Sequence, residues 1–268
     1  QGADVPGYVE LLHLYPSLLG ETAGLKGRMW ELLQQMWFPN NWEEARDVTK
    51  SLKVPIGKKY DDRDERSAKE ENANVFLDLH ESADGPHMLV AGTTGSGKSE
   101  TILTFLIGLA VRYSPSQVNM LLVDMKGGGF IKRIGGLPHV VGTISDVDGD
   151  ENGAGASHML KRFLLSMSAE VTRRKKLFNC LEVDSIDSYI RIRSSRKTLD
   201  EHIRNLSLDL EKPEDQHRIQ RMEELLNPEF GLPHLFLVID EFTELMRFSS
   251  ENSNIDFKAE VNTLARVG

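Results

Sequence analysis

HMLVAGTTGSGKSE, residues 87–100, is the segment that indicates the fold class of this chain most strongly. Residues 87–91 are a short apolar run, which predicts a strand. The run enters the glycine-rich loop GTTGSGKS at 92–99, and a helix is expected from about Lys98 to Arg112. A strand, a glycine-rich loop and a helix in this order form the setting that a phosphate-binding loop requires.

The loop fits the phosphate-loop pattern G-x-x-x-x-G-K-[ST] at every defined position. A plain glycine-rich turn would not require the lysine and serine at these positions, so the match favours phosphate binding. The glycines of the loop let the backbone wrap around a phosphate without Cβ clashes, and backbone N–H groups then face the anion at the positive end of the helix. We expect Lys98 to reach the β- and γ-phosphates of ATP and to act in catalysis, and the Ser99 hydroxyl to bind Mg²⁺. The predicted nucleotide-binding residues are Gly92, Thr93, Thr94, Gly95, Ser96, Gly97, Lys98, Ser99 and Glu100.

Two further apolar runs end in an aspartate. Residues 118–123 end in Asp124, and residues 235–239 end in Asp240. Continuous apolar strands that alternate with helices indicate a mainly parallel sheet covered on both faces, so the predicted class is α/β. Between these runs, residues 156–228 are mostly polar with helical spacing of apolar residues, which predicts a helical insertion.

The second strand end offers a carboxylate pair. A phosphate-loop enzyme needs a carboxylate there for Mg²⁺, and we expect Asp240 to hold the metal and Glu241 to polarise water as general base. Alternatively, the pair only caps a helix that starts at Phe242. Asp124 is a rival for the Mg²⁺ role, but Met-Lys-Gly-Gly-Gly follows it and offers no base. Lys126 could pair with a carboxylate or reach a neighbouring subunit.

The N-terminal part reads as a helical segment over residues 1–50, followed by two short strand-like runs at 52–56 and 75–79. The dense charge run at 58–74 is typical of a solvated loop, so a long, mobile hairpin at the edge of a sheet is expected. Three tryptophans lie close together, and we expect them to pack this segment onto a neighbour rather than to bind a ligand. They are Trp30, Trp37 and Trp42.

Composition narrows the class of protein. The 268 residues carry a formal net charge of −9, which gives no sign of a basic surface for nucleic acid, although a local basic patch would escape this count. Cys180 is the lone cysteine, which fits a reducing compartment. We find no apolar run of about 18 residues that would predict a membrane span, and no secretory signal pattern.

Four segments together resemble the FtsK/SpoIIIE family of ring-forming ATPases: HMLVAGTTGSGKSE, LLVDMKGGG, LPHVVGTISD and LFLVIDEFTEL. VPIG at 54–57 and LDLHESADGPH at 77–87 make the chain similar to the type VII secretion ATPases of the EccC and EssC kind within that family. The resemblance spans about residues 52–268, and the helical stretch matches loosely.

The resemblance implies a RecA-like P-loop fold and assigns the known motifs. Residues 92–99 fall on the Walker A loop, Asp240 and Glu241 fall on the Walker B pair, and Asp124, Lys126 and Gly127 fall on a D-x-K-G motif. It divides the chain into an N-terminal helical linker at 1–50 and an ATPase domain at 51–268, with an insertion at about 156–230.

The family also implies partners. These are a homo-hexameric ring, other ATPase domains in the same polypeptide, membrane components of a secretion machine, and small helical WXG-type proteins as exported substrates. Transmembrane helices N-terminal to this segment would place it at the cytoplasmic side of the cell membrane. Two alternatives stay open: a double-stranded DNA translocase of the same family, and an ATP-binding regulatory module that hardly hydrolyses ATP.

Two departures from the family pattern shape our expectations. The family continues past Walker B into a strand that begins R-x-G-R-S-L-G and carries a polar sensor residue, whereas this sequence ends near there at residues 265–268. We therefore expect weak hydrolysis by the isolated chain. The stretch at about 197–230 is longer than the family pattern predicts and has no assigned role.

Overall fold

The computed structural model describes residues 14–15, 33, 37, 47–59, 74–93, 95–145, 154–209, 211–226 and 231–251. Contacts between residues divide the chain into two units, with the boundary between Val118 and Asn119. Most of the predicted helical segment over 1–50, most of the charge run, Thr94 and the C-terminal residues 252–268 fall outside the described residues. The expected domain boundary near residue 50 stays a prediction.

The first unit contains an antiparallel hairpin of β1 (Lys53–Lys58) and β2 (Asn74–Asp78), which confirms the two predicted strands. Asp78, the last residue of β2, is bound to the residues that precede β1. Its carboxylate accepts hydrogen bonds from Ser51 Oγ at 2.6 Å and from the backbone N–H of Leu52 at 2.7 Å. The expected position at the edge of a sheet is wrong for the described strands, because β1 and β2 pair only with each other.

Helix α1 (Lys98–Arg112) occupies the predicted range and packs against β1. Its apolar face includes Phe105, Leu106 and Leu109, which are at most 2% exposed. The indole N–H of Trp37 donates a hydrogen bond of 2.9 Å to the carbonyl oxygen of Ala110 near the end of α1. The packing role expected for the tryptophans is therefore confirmed for Trp37, while Trp30 and Trp42 lie outside the described residues.

The predicted strand at residues 87–91 is wrong, because the segment has no regular secondary structure. Met88 is 41% exposed and Leu89 is 86% exposed. A strand exists only when a neighbour satisfies its backbone groups, and none of the described strands pairs with this segment. An apolar run predicts burial, but it does not supply the partner that makes a strand.

The second unit is built on a parallel three-stranded sheet of order β4-β3-β5. Its strands are β3 (Val118–Asp124), which starts at the unit boundary, β4 (Val140–Ser145) and β5 (His234–Asp240). β3 and β5 match the predicted apolar runs, and the α/β class is confirmed at this level. β4 lies on a segment that we quoted for its family resemblance but did not predict as a strand.

The helices of the second unit fall into two groups by their place between the strands in the sequence. α2 (Gly129–Ile134) lies between β3 and β4, and α7 (Phe242–Glu251) follows β5. Between β4 and β5 the predicted helical insertion is confirmed as α3 (Ala154–Leu181), α4 (Ile186–Ser194), α5 (Arg196–Asn205) and α6 (Pro213–Leu225). In the described part of the chain, no helix combines the length and apolar character that crossing a membrane requires.

The insertion helices begin where local chemistry favours a start. Ser185 accepts a hydrogen bond from the backbone N–H of Ser188 and so caps α4. Ser195 and Thr198 form a reciprocal capping box at the start of α5. Pro213 is the first residue of α6, a position whose backbone N–H has no helical partner.

Two apolar cores stabilise the second unit. The sheet core joins β3 and β4 to α3 and α7, and it contains Val123, Met125, Ile144, Leu160, Phe163, Leu164 and Leu245. The insertion core joins the end of α3 to α4, α5 and α6, and it contains Leu181, Tyr189, Ile192, Leu199, Ile203, Ile219, Met222, Leu226 and Leu232. Because Leu232 lies just before β5, the insertion core extends to the chain that leads into this strand.

Candidate functional site

The phosphate-loop motif lies in the first unit as an exposed turn that enters α1. Gly97 caps the helix with φ 90°, a left-handed conformation that residues with a Cβ rarely adopt. Its carbonyl oxygen accepts the backbone N–H of Thr101 at 2.9 Å, which starts the helical hydrogen-bond ladder. The N–H groups at the start of α1 precede this ladder, and a helix start of this kind is suited to bind an anion.

The Lys98 side chain lies across this loop. Its ammonium donates to the carbonyl oxygen of Gly92 at 2.7 Å and to that of Thr93 at 3.3 Å. The backbone N–H of Ser96 donates to the Thr93 carbonyl oxygen at 3.2 Å, which tightens the same turn. The lysine charge is thus held at the loop, and its contact with the phosphates stays a prediction. All predicted nucleotide-binding residues except Thr94 lie on this loop and the first turn of α1, and Ser99 and Glu100 are exposed.

The carboxylate pair lies in the second unit where β5 turns into α7. Asp240 is the last residue of β5, and Glu241 has φ 55°, a left-handed conformation that is uncommon for a non-glycine residue. The carbonyl oxygen of Glu241 accepts N–H groups from Glu244 at 2.9 Å and Leu245 at 3.2 Å. Since Leu245 is fully buried, the backbone at Glu241 is fixed against the sheet core.

The Asp240 carboxyl is in an environment that disfavours its negative charge. Burial raises its pKa above the ordinary value, and the nearby Asp124 carboxylate raises it further. The N–H of Glu241 opposes this effect by donating to Asp240 Oδ1 at 3.1 Å. A cation beside Asp240 would reduce the electrostatic repulsion between the Asp240 and Asp124 carboxyl groups.

Asp124, the rival for the metal role, has both carboxylate oxygens committed to the loop after β3. It is 1% exposed. Oδ1 accepts the backbone N–H of Lys126 at 3.0 Å, and Oδ2 accepts that of Phe130 at 2.9 Å. Sequence reasoning missed this structural task, for which an aspartate shortly before the glycines at 127–129 is only a weak signal.

Lys126 brings its charge to the turn after β5. Its ammonium lies 3.1 Å from Glu241 Oε1, and the two residues are separated by 115 positions in the chain. Of the two interpretations of Lys126, pairing with a carboxylate is confirmed. The described hydrogen-bond partner of the Glu241 carboxylate is thus a lysine from another loop.

Each expected Mg²⁺ ligand, taken by itself, offers the kind of oxygen atom that Mg²⁺ binds in proteins. Among the described residues, no group of three His, Cys, Asp or Glu side chains is placed to hold a metal. Mg²⁺ in nucleotide enzymes commonly takes one or two protein oxygens and completes its shell with phosphates and water. The half-buried Asp240 in the second unit is a suitable carboxylate, and the exposed Ser99 in the first unit is a suitable hydroxyl.

Known proteins are similar in sequence to most of this chain. A model of the FtsK/SpoIIIE family matches residues 47–268. The ESX secretion system protein YukB of Bacillus subtilis (strain 168) is 34% identical over 236 residues, which are 88% of this chain and 12% of that protein. The ESX secretion system protein EccC of Geobacillus thermodenitrificans (strain NG80-2) is 36% identical over 228 residues, which are 85% of this chain and 12% of that protein.

The fold has a solved counterpart. The cytoplasmic domain of the type VII secretion ATPase EccC from Thermomonospora curvata is similar with a TM-score of 0.52 and 27% sequence identity. The match covers 88% of this chain and 21% of that chain, and the curated relatives above are likewise spanned over only 12% of their length. The phosphate loop, the acidic strand end and a family match that covers most of the sequence agree, and the chain belongs to the FtsK/SpoIIIE family.

Proposed function

We propose that this chain binds ATP with Mg²⁺ and hydrolyses it to ADP and phosphate. The observation that carries the proposal is the loop at 92–99, whose glycine turn enters α1 and whose Lys98 ammonium is held at the loop. This arrangement gives a polyphosphate backbone N–H groups, the positive end of a helix and a fixed cation. The family match supports a RecA-like fold for the domain.

The proposal assigns a task to each predicted residue. In the first unit, residues 92–100 bind the nucleotide, Lys98 stabilises the charge that develops on the transferred phosphoryl group, and Ser99 binds Mg²⁺. In the second unit, Asp240 binds Mg²⁺ and Glu241 accepts a proton from the attacking water. Bound Mg²⁺ would neutralise phosphate charge during the transfer.

We further propose that this ATPase domain belongs to a type VII secretion machine. YukB and EccC, both ESX secretion system proteins, support this assignment, as does the EccC fold. By this proposal ATP use drives export of small helical WXG-type proteins. The domain works beside other ATPase domains of its polypeptide, in a homo-hexameric ring on the cytoplasmic side of the membrane, in contact with membrane components of the machine.

The first test is whether ATP turnover depends on the loop. ADP formation from ATP·Mg²⁺ is measured for the purified parental chain and for Lys98→Ala under single-turnover conditions. We expect slow ADP formation by the parental chain and none above background by the variant. Equal ADP formation by both proteins would assign the activity to a contaminant and contradict the proposal.

Double-stranded DNA in the same assay separates secretion from DNA translocation. A secretion ATPase has no reason to respond to DNA, so the parental rate is expected to stay within about twofold of its DNA-free value. A rise of tenfold or more that is lost at high salt would favour the translocase, because phosphate contacts make DNA binding salt-dependent.

A further inference from the structure

The Lys126–Glu241 ion pair joins the loop after β3 to the turn after β5. The Lys126 ammonium and Glu241 Oε1 are 3.1 Å apart, within the range of a charge-assisted hydrogen bond. Their side chains are 67% and 33% exposed. An ion pair this open to solvent contributes little to folding, so stability alone gives it no evident role.

The backbone at Lys126 is held firmly although its side chain is exposed. The buried Asp124 accepts the N–H groups of Lys126 and Phe130 with its two oxygens, which ties down both ends of the turn. Within the turn, Gly127 and Gly128 have φ 78° and 66°, values that a residue with a Cβ rarely adopts. The turn therefore presents the lysine from a fixed point.

The backbone at Glu241 is equally constrained, but its side chain has several rotatable bonds. The φ of 55°, the N–H donated to Asp240 and the two N–H groups accepted from α7 fix the main chain. The ion pair supplies the remaining restraint on the carboxylate. It engages Oε1, so Oε2 can accept a proton from water while the group stays in place.

The lysine also faces a concentration of negative charge. Glu241, Glu244 and Asp240 all act electrostatically on its ammonium and raise the Lys126 pKa, with the Glu241 hydrogen bond as the largest cause. Lys126 is thus a described cation that opposes the acidic turn after β5 and pairs with Glu241, while Arg247 pairs with Glu244 at 2.8 Å. Removal of Lys126 would leave the Glu241 carboxylate beside Asp240 and Glu244 without this restraint.

We propose that Lys126 is a positioning residue for ATP hydrolysis: its ammonium holds one oxygen of Glu241 so that the other faces the attacking water. The inference rests on the proposed role of Glu241 as general base. Misplacement of a reacting group by about 1 Å can cost on the order of 100-fold in rate. Lys126 would therefore act through Glu241, without contact with the nucleotide.

The test compares Lys126→Met and Lys126→Arg in the 268-residue chain by single-turnover ADP formation at saturating ATP·Mg²⁺. We expect Lys126→Met to lower the rate about 10- to 100-fold, with ATP affinity within twofold of the parental value. Lys126→Arg keeps the cation and should recover most of the rate. Lys132→Met removes an exposed lysine of α2 and should leave rate and affinity unchanged.

A second readout follows the ion pair without turnover. Glutamate labelled with ¹³C at the side-chain carboxyl gives a Glu241 signal, which is identified by its loss in Glu241→Gln. We expect this signal to shift in Lys126→Met and to stay near its parental position in Lys126→Arg and Lys132→Met. An unchanged signal in Lys126→Met would mean that the pair does not restrain Glu241, and it would overturn the proposal.

The rate outcomes separate this inference from the proposed function. ADP formation that requires Lys98 and Glu241 but is unchanged in Lys126→Met overturns the positioning role alone. A parental chain that forms no Lys98-dependent ADP overturns the proposed function and this role with it. A Lys126→Met variant that loses ATP affinity as strongly as rate would show that Lys126 binds the nucleotide, and this too overturns the proposal.

Discussion

Lys98 is the residue on which the proposed nucleotide binding depends most directly, because it holds a positive charge at the loop through its contacts with Gly92 and Thr93. Lys98→Ala is expected to weaken binding of ATP·Mg²⁺ at least tenfold, since a hydrogen bond to a charged group contributes about 1.5–3 kcal/mol. Titration of a fluorescent ATP analogue measures the affinity. Lys132→Ala should bind as the parental chain does, and an affinity of Lys98→Ala within twofold of it would refute the assignment.

The sequence predicted the local structure around the candidate site residues where a motif fixes both residue type and spacing. The loop at 92–99 turns into α1 at the expected place, and Asp240 ends β5 with Glu241 directly after it, as expected. The task of Asp124 was not predictable in the same way. Its two backbone hydrogen bonds depend on the conformation of the loop after β3. A strand-end aspartate alone is equally compatible with a metal ligand.

At the scale of the helix, α3 carries an acid–base cluster that reaches the start of β5. Glu170 accepts hydrogen bonds from Arg173 at 2.7 and 2.8 Å and from Arg174 at 2.8 Å. Arg174 also donates to the carbonyl oxygen of Pro233 at 3.0 Å, next to the first residue of β5. The hydrogen bonds from Arg173, opposed by burial and aided by Arg174, lower the pKa of Glu170.

This lowered pKa predicts a pH-dependent contribution to stability. The ionised Glu170 stabilises the fold fully above the unfolded-state pKa of about 4.3, and the contribution is lost as pH falls through the lower folded-state pKa. Glu170→Gln is therefore expected to reduce the free energy of unfolding by about 1 kcal/mol at pH 7, with the loss narrowing below about pH 4.

Urea unfolding of both proteins across this pH range measures the difference. Glu201→Gln is the matched control, because its ion pair with Lys197 is long at 4.0 Å and exposed, and it should change stability little. A loss in Glu170→Gln that stays constant or grows toward low pH would contradict the assigned sign.

The insertion core makes α4, α5 and α6 a packed assembly with the end of α3. Leu199 of α5 is 7% exposed within it, whereas Leu165 of α3 is 72% exposed. Leu199→Ala is expected to lower the free energy of unfolding by about 2–4 kcal/mol through lost burial and a residual cavity. Leu165→Ala should change it by less than about 0.5 kcal/mol. Equal effects in thermal unfolding would show that the insertion core does not stabilise the chain.

The fold was predictable where a pattern is local. Helix α1 and strands β3 and β5 follow from apolar runs and from the punctuation around them. The failure at residues 87–91 has the opposite cause, since strand formation depends on a partner that no local pattern names. Strand β4 was missed because Gly142 interrupts its apolar run.

At the scale of the whole molecule, the chain spans about 12% of the length of relatives such as YukB. Ring ATPases stabilise the transition state with an arginine from a neighbouring subunit, and such a residue contributes about 10³ to 10⁵ in rate. The isolated chain is therefore expected to be a monomer that binds ATP·Mg²⁺ and hydrolyses it slowly. Linked domains would raise the effective concentration of neighbours in the full-length protein.

Light scattering combined with ADP release over a series of chain concentrations tests this expectation. A monomer should turn over well below about 1 s⁻¹ per chain, the lower end of the usual enzyme range. A monomer whose rate per chain is constant over the series and already above that value would show that no neighbour is needed.

The measurement that tests the central claim most directly is single-turnover ADP formation by Glu241→Gln at saturating ATP·Mg²⁺, with ATP affinity determined on the same sample. The amide keeps the shape of the side chain but cannot accept the proton from water. ATP affinity should stay within about twofold of the parental value, and the rate of ADP formation should fall about 10²- to 10⁴-fold. A variant that forms ADP at the parental rate, or one that fails to bind ATP, would contradict the assignment of Glu241 as the base of an ATP-hydrolysing domain.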